Sequence, residues 1–297
     1  MTKMTRVEQI LRDGHFGAGV TRGMRGGATV RVLLSDARAL QRSYRAKLGY
    51  SGGAKMLTSG SAQVKLGKNA RPSYGLMLTP ERGMMAHRDV LAAFDLSGPF
   101  NLCPMASKGC AAACLSRSGQ SGMKPAQRAQ AVRTAFLLAF PFEAGLLIGA
   151  EIRNALKRSA RINLRLNTTS DIRWEKVAPR TMVALDAAGV KLYDYTAWKA
   201  TDRDLIAGYS LTHSAKEASA TPDEYLDDLL RSGRNVAVPF TTGRGKALPE
   251  TWRGWRVIDG DVSDERYRDP RGVVVGLRAK GHEWKRDNSA GFIRQAN

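Results

Sequence analysis

The sequence predicts an α/β protein in which six or seven parallel strands form a complete or partial β/α barrel. Short apolar segments alternate with helical segments along most of the chain, which is typical of a parallel sheet with right-handed crossovers. The chain has 297 residues, of which 43% are hydrophobic, so it can bury a sizeable core. The pattern alone does not separate a barrel from a doubly wound sheet.

The predicted elements begin after a basic first quarter. Helical stretches are predicted at 124–158, with a kink near Pro141, at 171–188, and from Thr221 to about residue 232. Strands are predicted at 73–79, 162–167, 191–196, 206–212, 235–241, 255–259 and 272–277. We expect three regions, namely residues 1–72, the barrel domain 73–281 and a basic tail 282–297.

The first quarter carries much of the positive charge. Residues 1–72 hold 14 Lys or Arg against three acids, an excess of 11 within a net charge of +20. Arg38, Arg42 and Arg45 are spaced to share one helix face. Because glycines interrupt the segment repeatedly, we expect a basic, Gly-rich arm or partly ordered layer. Phosphate binding and simple solvation explain its charge equally well.

All three cysteines of the chain, Cys103, Cys110 and Cys114, fall within twelve residues. Such clustering favours a soft metal centre over core packing. The spacing lacks the CxxC pairs usual for zinc, and zinc would need one of the four histidines as a fourth ligand. We therefore predict a 4Fe–4S cluster with one iron open or completed by another ligand. Zinc and the absence of any metal remain alternatives.

Polar residues follow nearly every predicted strand, where the functional residues of parallel β/α folds gather. Asp171 and Lys199 are the candidate catalytic residues. The candidate cofactor-binding residues are Asn167, Ser170, Thr196 and Ser210. Helix capping is the alternative role for Ser170 and Asp171, and His213 is weaker evidence for acid–base chemistry.

Several segments resemble a phage-encoded family of uncharacterised proteins known as gene product eighty-eight. The shared segments are KLGK (65–68), CPMASKGCAAACL (103–115), RLNTTSDIRWE (165–175), YDYT (193–196), YSLTHS (209–214), VIDGD (257–261) and VGLRAKG (275–281). The three-cysteine loop after the first predicted strand also resembles that of radical S-adenosylmethionine enzymes, although its Cys-x6-Cys-x3-Cys spacing departs from theirs. These resemblances imply a phage origin and S-adenosylmethionine as a second cofactor.

The charge and the pI near 10.3 indicate a polyanionic partner, most often DNA or RNA. We expect a radical S-adenosylmethionine-like enzyme acting on nucleic acid or nucleotides. The alternative is a non-enzymatic nucleic-acid-binding protein whose cluster is structural or redox-active, serving phage replication or host takeover. No apolar run is long enough to span a bilayer, and no signal peptide is recognisable, so we expect a cytoplasmic protein that does not bind membranes. The sequence leaves the oligomeric state open.

Overall fold

Nine strands form one sheet in the computed structural model, which describes residues 2–62, 64–204, 206–243, 245–280, 288 and 291–296. The strands are β1 (Leu57–Ser59), β2 (Ser73–Leu76), β3 (Ile162–Arg165), β4 (Val190–Thr196), β5 (Tyr209–Ser214), β6 (Val236–Phe240), β7 (Thr251–Trp252), β8 (Trp255–Asp259) and β9 (Val274–Arg278).

The strand order is β1-β2-β3-β4-β5-β6-β9-β8-β7. All neighbours from β2 to β8 are parallel, and the edge strands β1 and β7 pair antiparallel with β2 and β8. The hydrogen-bonded order is linear, so the sheet is open across the described residues. The protein is therefore of mixed α/β class with a mostly parallel sheet.

Three helices precede the first strand in the described chain, and the other helices lie in the segments between strands. They are α1 (Arg6–Asp13), α2 (Phe16–Arg25), α3 (Ala28–Lys47), α4 (Val64–Gly67), α5 (Arg88–Ala93), α6 (Lys108–Ala112), α7 (Lys124–Ala139), α8 (Pro141–Leu156), α9 (Trp174–Val177), α10 (Pro179–Ala187) and α11 (Asp223–Arg231). The predicted kink near Pro141 is a full break, because α7 and α8 meet at an angle of 118°. Within the described chain, no single helix is long and apolar enough to cross a membrane.

Residues 6–47 form three helices that pack on the core, so the structure does not show the arm that was one form of the expected arm or layer. Helices α1, α2 and α3 bury apolar residues in the main core, among them Val7, Leu11, Phe16, Val20 and Leu34. Most basic residues of these helices are exposed. The helices are thus amphipathic, with an apolar face in the core and a basic face toward solvent. Most of the predicted basic tail, residues 282–297, lies outside the described residues.

Four glycines let α2 and α8 approach at backbone distance. A side-chain carbon built at Gly19 would lie 2.1 Å from the carbonyl oxygen of Phe142, and one at Gly23 would lie 2.2 Å from that of Leu146. From the other helix, carbons at Gly145 and Gly149 would lie 2.3 and 2.1 Å from carbonyl oxygens of α2. Gly19 and Gly23 of the first quarter therefore serve helix packing.

Candidate metal centre

The three cysteines lie around the short helix α6, in the segment between β2 and α7. Ser107 caps α6, since its hydroxyl accepts a hydrogen bond from the backbone N–H of Cys110 at 3.2 Å. Cys103 precedes this cap, and Cys114 follows the helix. All three cysteines are free, and each is partly exposed as a whole residue.

The end of β5 fixes this cysteine loop from one side. Glu217, three residues beyond β5, accepts hydrogen bonds from the Ser107 hydroxyl at 2.5 Å and from the Gly109 N–H at 3.1 Å. Burial alone would raise the pKa of Glu217, but these hydrogen bonds lower it below the usual value. Lys216 donates to the carbonyl of Met105 at 3.4 Å. The loop is thus anchored at the carboxyl end of β5.

The end of β3 holds the loop from the other side. The N–H of Asp171 donates to the carbonyl of Leu102 at 2.7 Å, and the Cys103 thiol approaches the carbonyl of Thr169 at 3.6 Å. The Thr169 hydroxyl in turn bonds both backbone groups of Leu78, just after β2. The cysteines therefore sit where β2, β3 and β5 end.

The surroundings of the cysteine loop disfavour the charged form of its thiols. Burial raises the pKa of Cys103 well above its ordinary value, and the charges of Asp171, Cys114 and Cys110 raise it further. Burial likewise raises the pKa of Cys110 to about 12, while Lys216 acts in the opposite direction. Without a cation these two thiols are protonated at neutral pH, and a bound metal would reverse this preference.

Asn167 and Ser170 belong to a local hydrogen-bond network in the loop after β3. The Asn167 side-chain oxygen accepts from the Ser170 hydroxyl, the Ile172 N–H and the Trp174 indole at 2.9–3.0 Å. Its amide donates to the carbonyl of Ile172 at 2.8 Å. Both predicted cofactor-binding residues are buried, and these bonds occupy their polar groups in shaping the loop.

Asp171 and Thr196 belong to a neighbouring buried network. Asp171 accepts from the Ala197 N–H at 2.7 Å and lies 3.3 Å from the guanidinium of Arg203. Arg203 also pairs with Glu175 at 2.6 Å and donates to the Thr196 hydroxyl at 2.8 Å. Burial raises the pKa of Asp171, against the lowering effect of Arg203. The network joins the ends of β3 and β4 beneath the cysteine loop.

Lys199 and Ser210 lie in different surroundings. Lys199 is exposed beyond β4, within range of the charge on Lys216. Ser210 pairs with Tyr193 near the amino end of β5, so it is not at the carboxyl end, where the sequence analysis placed it. The predicted strand was three residues early because Gly208 turns the chain with φ +82° before β5 begins.

A second set of buried polar contacts involves side chains of β3 and β4. Arg165 pairs with Asp264 at 3.0 Å, and its guanidinium carbon lies 4.7 Å from the centre of the Tyr195 ring. Asp194 lies 3.8 Å from Arg165 and accepts from the hydroxyl of Tyr209 at 2.9 Å. Burial raises the pKa of Asp194 to about 7, although Arg165 opposes this rise.

The N-terminal helix reaches the same loop through a buried ion pair. Both nitrogens of the Arg173 fork bond the carboxylate of Glu8, at 2.8 and 2.7 Å, and both side chains are fully buried. The Arg173 guanidinium carbon lies 3.9 Å from the centre of the Trp198 ring. Helix α1 therefore helps to hold the ends of β3 and β4.

Sequence reasoning missed Lys216 and Glu217, the residues that anchor the cysteine loop. Their signal was present, because both directly follow β5, but the predicted strand ended too early to include them. Arg203 and Glu175 were also missed, since nothing in their local sequence indicates a contact across 28 residues.

No group of three or more His, Cys, Asp or Glu side chains in the described part of the chain is arranged to hold a metal ion. The donor chemistry of the three thiols nevertheless fits a soft metal. The sequence model of the family described as Gene product 88 matches residues 56–296. Comparison with curated proteins and with solved structures finds no significant match.

Proposed function

Because this chain belongs to the Gene product 88 family, we propose that it is a phage-type protein that binds an iron–sulfur cluster through Cys103, Cys110 and Cys114. The observation that carries the proposal is that the three cysteines share one short segment, which is held at the ends of β2, β3 and β5. The family name supports the phage origin, and the sulfur donor set supports iron–sulfur chemistry over hard cations.

The surrounding residues have a defined task in this proposal. Glu217 fixes the backbone around Cys110 through Ser107 and Gly109. Lys216 brings a positive charge that favours the Cys110 thiolate. A bound cluster would supply electron transfer or a Lewis-acidic iron, and the chain would orient the thiolates and balance their charge.

A partial β/α barrel is the architecture that we propose for this site. The parallel strands β2 to β6 follow one another in chain order, and the reversal of order lies near one edge, where β9 is inserted between β6 and β8. Right-handed crossovers then place the helices on one face, as in a barrel. The opposite face carries polar side chains such as Arg165 and Tyr195, which supports an interior that takes a polar ligand.

Cluster binding is tested by anaerobic purification and reconstitution with iron and sulfide. We expect brown protein with about four irons and matching acid-labile sulfide per chain. Replacing any one cysteine by serine lowers the iron content sharply, whereas the loop-matched control Gln120→Ala retains it. Colourless protein with one zinc per chain, or iron that survives all three cysteine substitutions, contradicts the proposal.

We further propose that α3 contacts nucleic acid. Arg31, Arg38 and Arg42 are exposed at spacings of seven and four residues, which places them along one helix face. None of the three is ion-paired to a described residue. Such a row suits the phosphates of DNA or RNA, whose binding it would make salt-dependent.

Deleting residues 1–53 is not a usable test, because it would remove core residues of α1, α2 and α3. The test is instead the triple variant with Gln at Arg31, Arg38 and Arg42. We expect a salt slope of binding reduced by about 2–3 for duplex DNA or for RNA. The matched control replaces Lys157, Arg158 and Arg161, exposed cations at the amino end of β3. Loss of binding in the control alone contradicts a contact through α3.

Catalysis separates two forms of the proposal. In the enzymatic form, Asp171 and Lys199 act on a nucleic acid or nucleotide, with S-adenosylmethionine as cofactor. In the other form, the cluster is structural or redox-active in a binding protein. Release of 5′-deoxyadenosine from S-adenosylmethionine by the reduced, cluster-loaded protein supports the enzyme. Its absence with several reductants, while cluster and nucleic acid still bind, favours the binding protein.

A further inference from the structure

The outward side of the cysteine loop is basic. The exposed residues of segment 103–125 are Lys108, Ala112, Leu115, Arg117, Gly119, Gln120, Met123, Lys124 and Pro125. Three of them are cations and none is an acid. The sequence has no Asp or Glu from residue 96 to residue 142. The positive charge of this surface is therefore not balanced by its neighbours along the chain.

The acids that contact the loop lie beneath it. Glu217 is 4% exposed, and its carboxylate accepts hydrogen bonds from Ser107 and Gly109. Asp171 is 6% exposed, and its carboxylate is paired with Arg203. Because both carboxylates are buried and engaged, they do not neutralise the charge that the loop presents to solvent.

The three exposed cations keep their charge available to a partner. Lys108 and Lys124 form no ion pair with any residue in the described part of the chain. Arg117 donates to the carbonyl of Ala111 at 2.7 Å, which is a neutral acceptor. Like charges on one loop repel one another, and an acidic partner would relieve this repulsion.

The loop is compact, so its cations share one region of the surface. Two single helical turns follow α6, at Leu115–Arg117 and Gly119–Gly122. A side-chain carbon built at Gly122 would lie 2.4 Å from the carbonyl oxygen of Arg117, so the two turns are in direct contact. The hydrogen bond from Arg117 ties the first turn to α6, and α7 begins at Lys124, two residues after the second turn.

Two large apolar side chains lie next to these cations in the loop. Leu115 is 46% exposed and Met123 is 59% exposed. Methionine and arginine are enriched at protein–protein interfaces, whose rims are polar. The sequence has no aromatic residue from 101 to 135, so the loop lacks the rings on which nucleic-acid bases stack. These features favour a protein partner over nucleic acid.

We propose that this docking surface, formed by Lys108, Leu115, Arg117, Met123 and Lys124, binds a small acidic electron-transfer protein. The inference rests on the iron–sulfur cluster of the proposed function. All three cysteines are partly exposed, so a cluster that they hold would lie close to this surface. One electron would pass between the carrier and the cluster, so that one is oxidised, the other is reduced and no atom is transferred. Complexes of this kind are small and depend on electrostatic steering.

The test uses the full-length, cluster-loaded protein and, as the probe, a plant-type ferredoxin, which is a small acidic one-electron carrier. Calorimetry measures binding at low and at physiological ionic strength. We expect saturable binding at one site per chain that weakens with salt, and no binding of cytochrome c, a basic electron carrier. Stopped-flow absorbance follows the electron exchange, started once from reduced ferredoxin and once from the reduced cluster, so that one of the two directions is downhill.

Two changes at the docking surface separate charge from apolar contact. Lys108→Gln combined with Lys124→Gln weakens binding about tenfold at low ionic strength and reduces its salt dependence. Met123→Ser weakens binding but leaves the salt dependence unchanged, because no charge is lost. The matched control, Lys157→Gln combined with Arg158→Gln, removes two exposed cations between α8 and β3 and binds ferredoxin like the unchanged protein. Iron content shows whether the loop of each variant is intact.

Absence of saturable ferredoxin binding, an equal loss in the control pair, or binding without electron exchange in either direction overturns the proposal. An oligonucleotide that displaces ferredoxin, and that the Lys108 and Lys124 variant no longer binds, assigns the surface to nucleic acid instead. If this variant loses iron, Met123→Ser decides the test. Iron analysis separates the two proposals: a chain without iron contradicts the cluster and the carrier together, whereas a loaded chain that does not bind ferredoxin contradicts the docking surface alone.

Discussion

The contact between α2 and α8 predicts that adding one methyl group to Gly19 destabilises the fold. In Gly19→Ala, the new carbon would lie 2.1 Å from the carbonyl oxygen of Phe142, which is 1.3 Å short of the 3.4 Å where ordinary contact begins. That oxygen belongs to a helix backbone and cannot rotate away, so the two helices must separate. Separation forfeits dispersion contacts along the whole interface.

Helix propensity and packing predict opposite effects of Gly19→Ala on stability. Alanine is favoured over glycine within a helix by about 1 kcal/mol. Overpacking costs about 1–3 kcal/mol, and a rigid backbone contact takes the upper part of this range. We expect a net loss of about 2 kcal/mol in the free energy of unfolding, and a melting temperature lower by about 5 °C.

The assay is urea and thermal unfolding followed by circular dichroism. Gly53→Ala is the control, because a side-chain carbon there meets open space and its φ is ordinary. Gly149→Ala probes the same interface from the other helix, and the double variant with Gly19→Ala costs less than the sum, since the helices have already parted. A Gly19→Ala protein as stable as the unchanged one, or more stable, would refute the close approach.

Three further predictions follow from buried groups. Burial, with the charges of Arg234 and Arg203, lowers the pKa of His213 to about 4. The contribution of neutral His213 to the free energy of unfolding is therefore complete above pH 6.5 and is lost as the pH falls to 4, by about 3 kcal/mol at most. Unfolding of His213→Gln across this pH window shows a shallower loss of stability. Glu8→Gln leaves Arg173 buried without its counter-ion, and unfolding in urea shows a loss of about 3–5 kcal/mol. Gly109→Ala places a carbon 2.5 Å from Cβ of Phe292 and 2.9 Å from the Glu217 carboxylate. Both contacts must shift, which frees the loop and speeds labelling of Cys110 by a thiol reagent.

Each of these has its contradicting result. An unchanged pH profile in His213→Gln would place the acid-labile group elsewhere. A Glu8→Gln protein with unaltered stability would mean that α1 is not coupled to the loop after β3. Equal labelling rates before and after Gly109→Ala would show that the close packing of Gly109 against Phe292 and Glu217 does not restrain the cysteine loop.

The central strands could be predicted because they are short, apolar and separated by helices. β8 was predicted with its observed bounds, and β4 began within one residue of its prediction. The edge strands β1 and β7 were missed, since two or three residues carry no periodicity. β5 was displaced because apolar residues precede the turn at Gly208, and apolar character alone does not mark where a strand starts.

Helices α1 and α2 were beyond sequence reasoning for a physical reason, whereas the spacing of Arg38, Arg42 and Arg45 indicated part of α3. Glycine has a low helix propensity because of its backbone entropy, and the sequence shows this cost. The sequence does not show which partner helix a glycine would allow to approach closely. Here Gly19 and Gly23 gain from a partner helix more than a hundred residues away. For the site, the crowding of the cysteines was readable from the sequence. The anchors Lys216 and Glu217 depended on a strand boundary.

The pair of Glu8 and Arg173 also has a consequence for how the chain assembles. The two residues are 165 positions apart, so Glu8 is synthesised well before Arg173 and has no counter-ion from it during that interval. At ordinary rates of translation this interval is roughly ten to thirty seconds. Helix α1 therefore cannot form this ion pair until the loop after β3 has been synthesised. Closing the long chain segment between Glu8 and Arg173 is a late step with a high entropic cost. The loop after β3, which lies beneath the cysteines, is therefore complete only when α1 has packed against it.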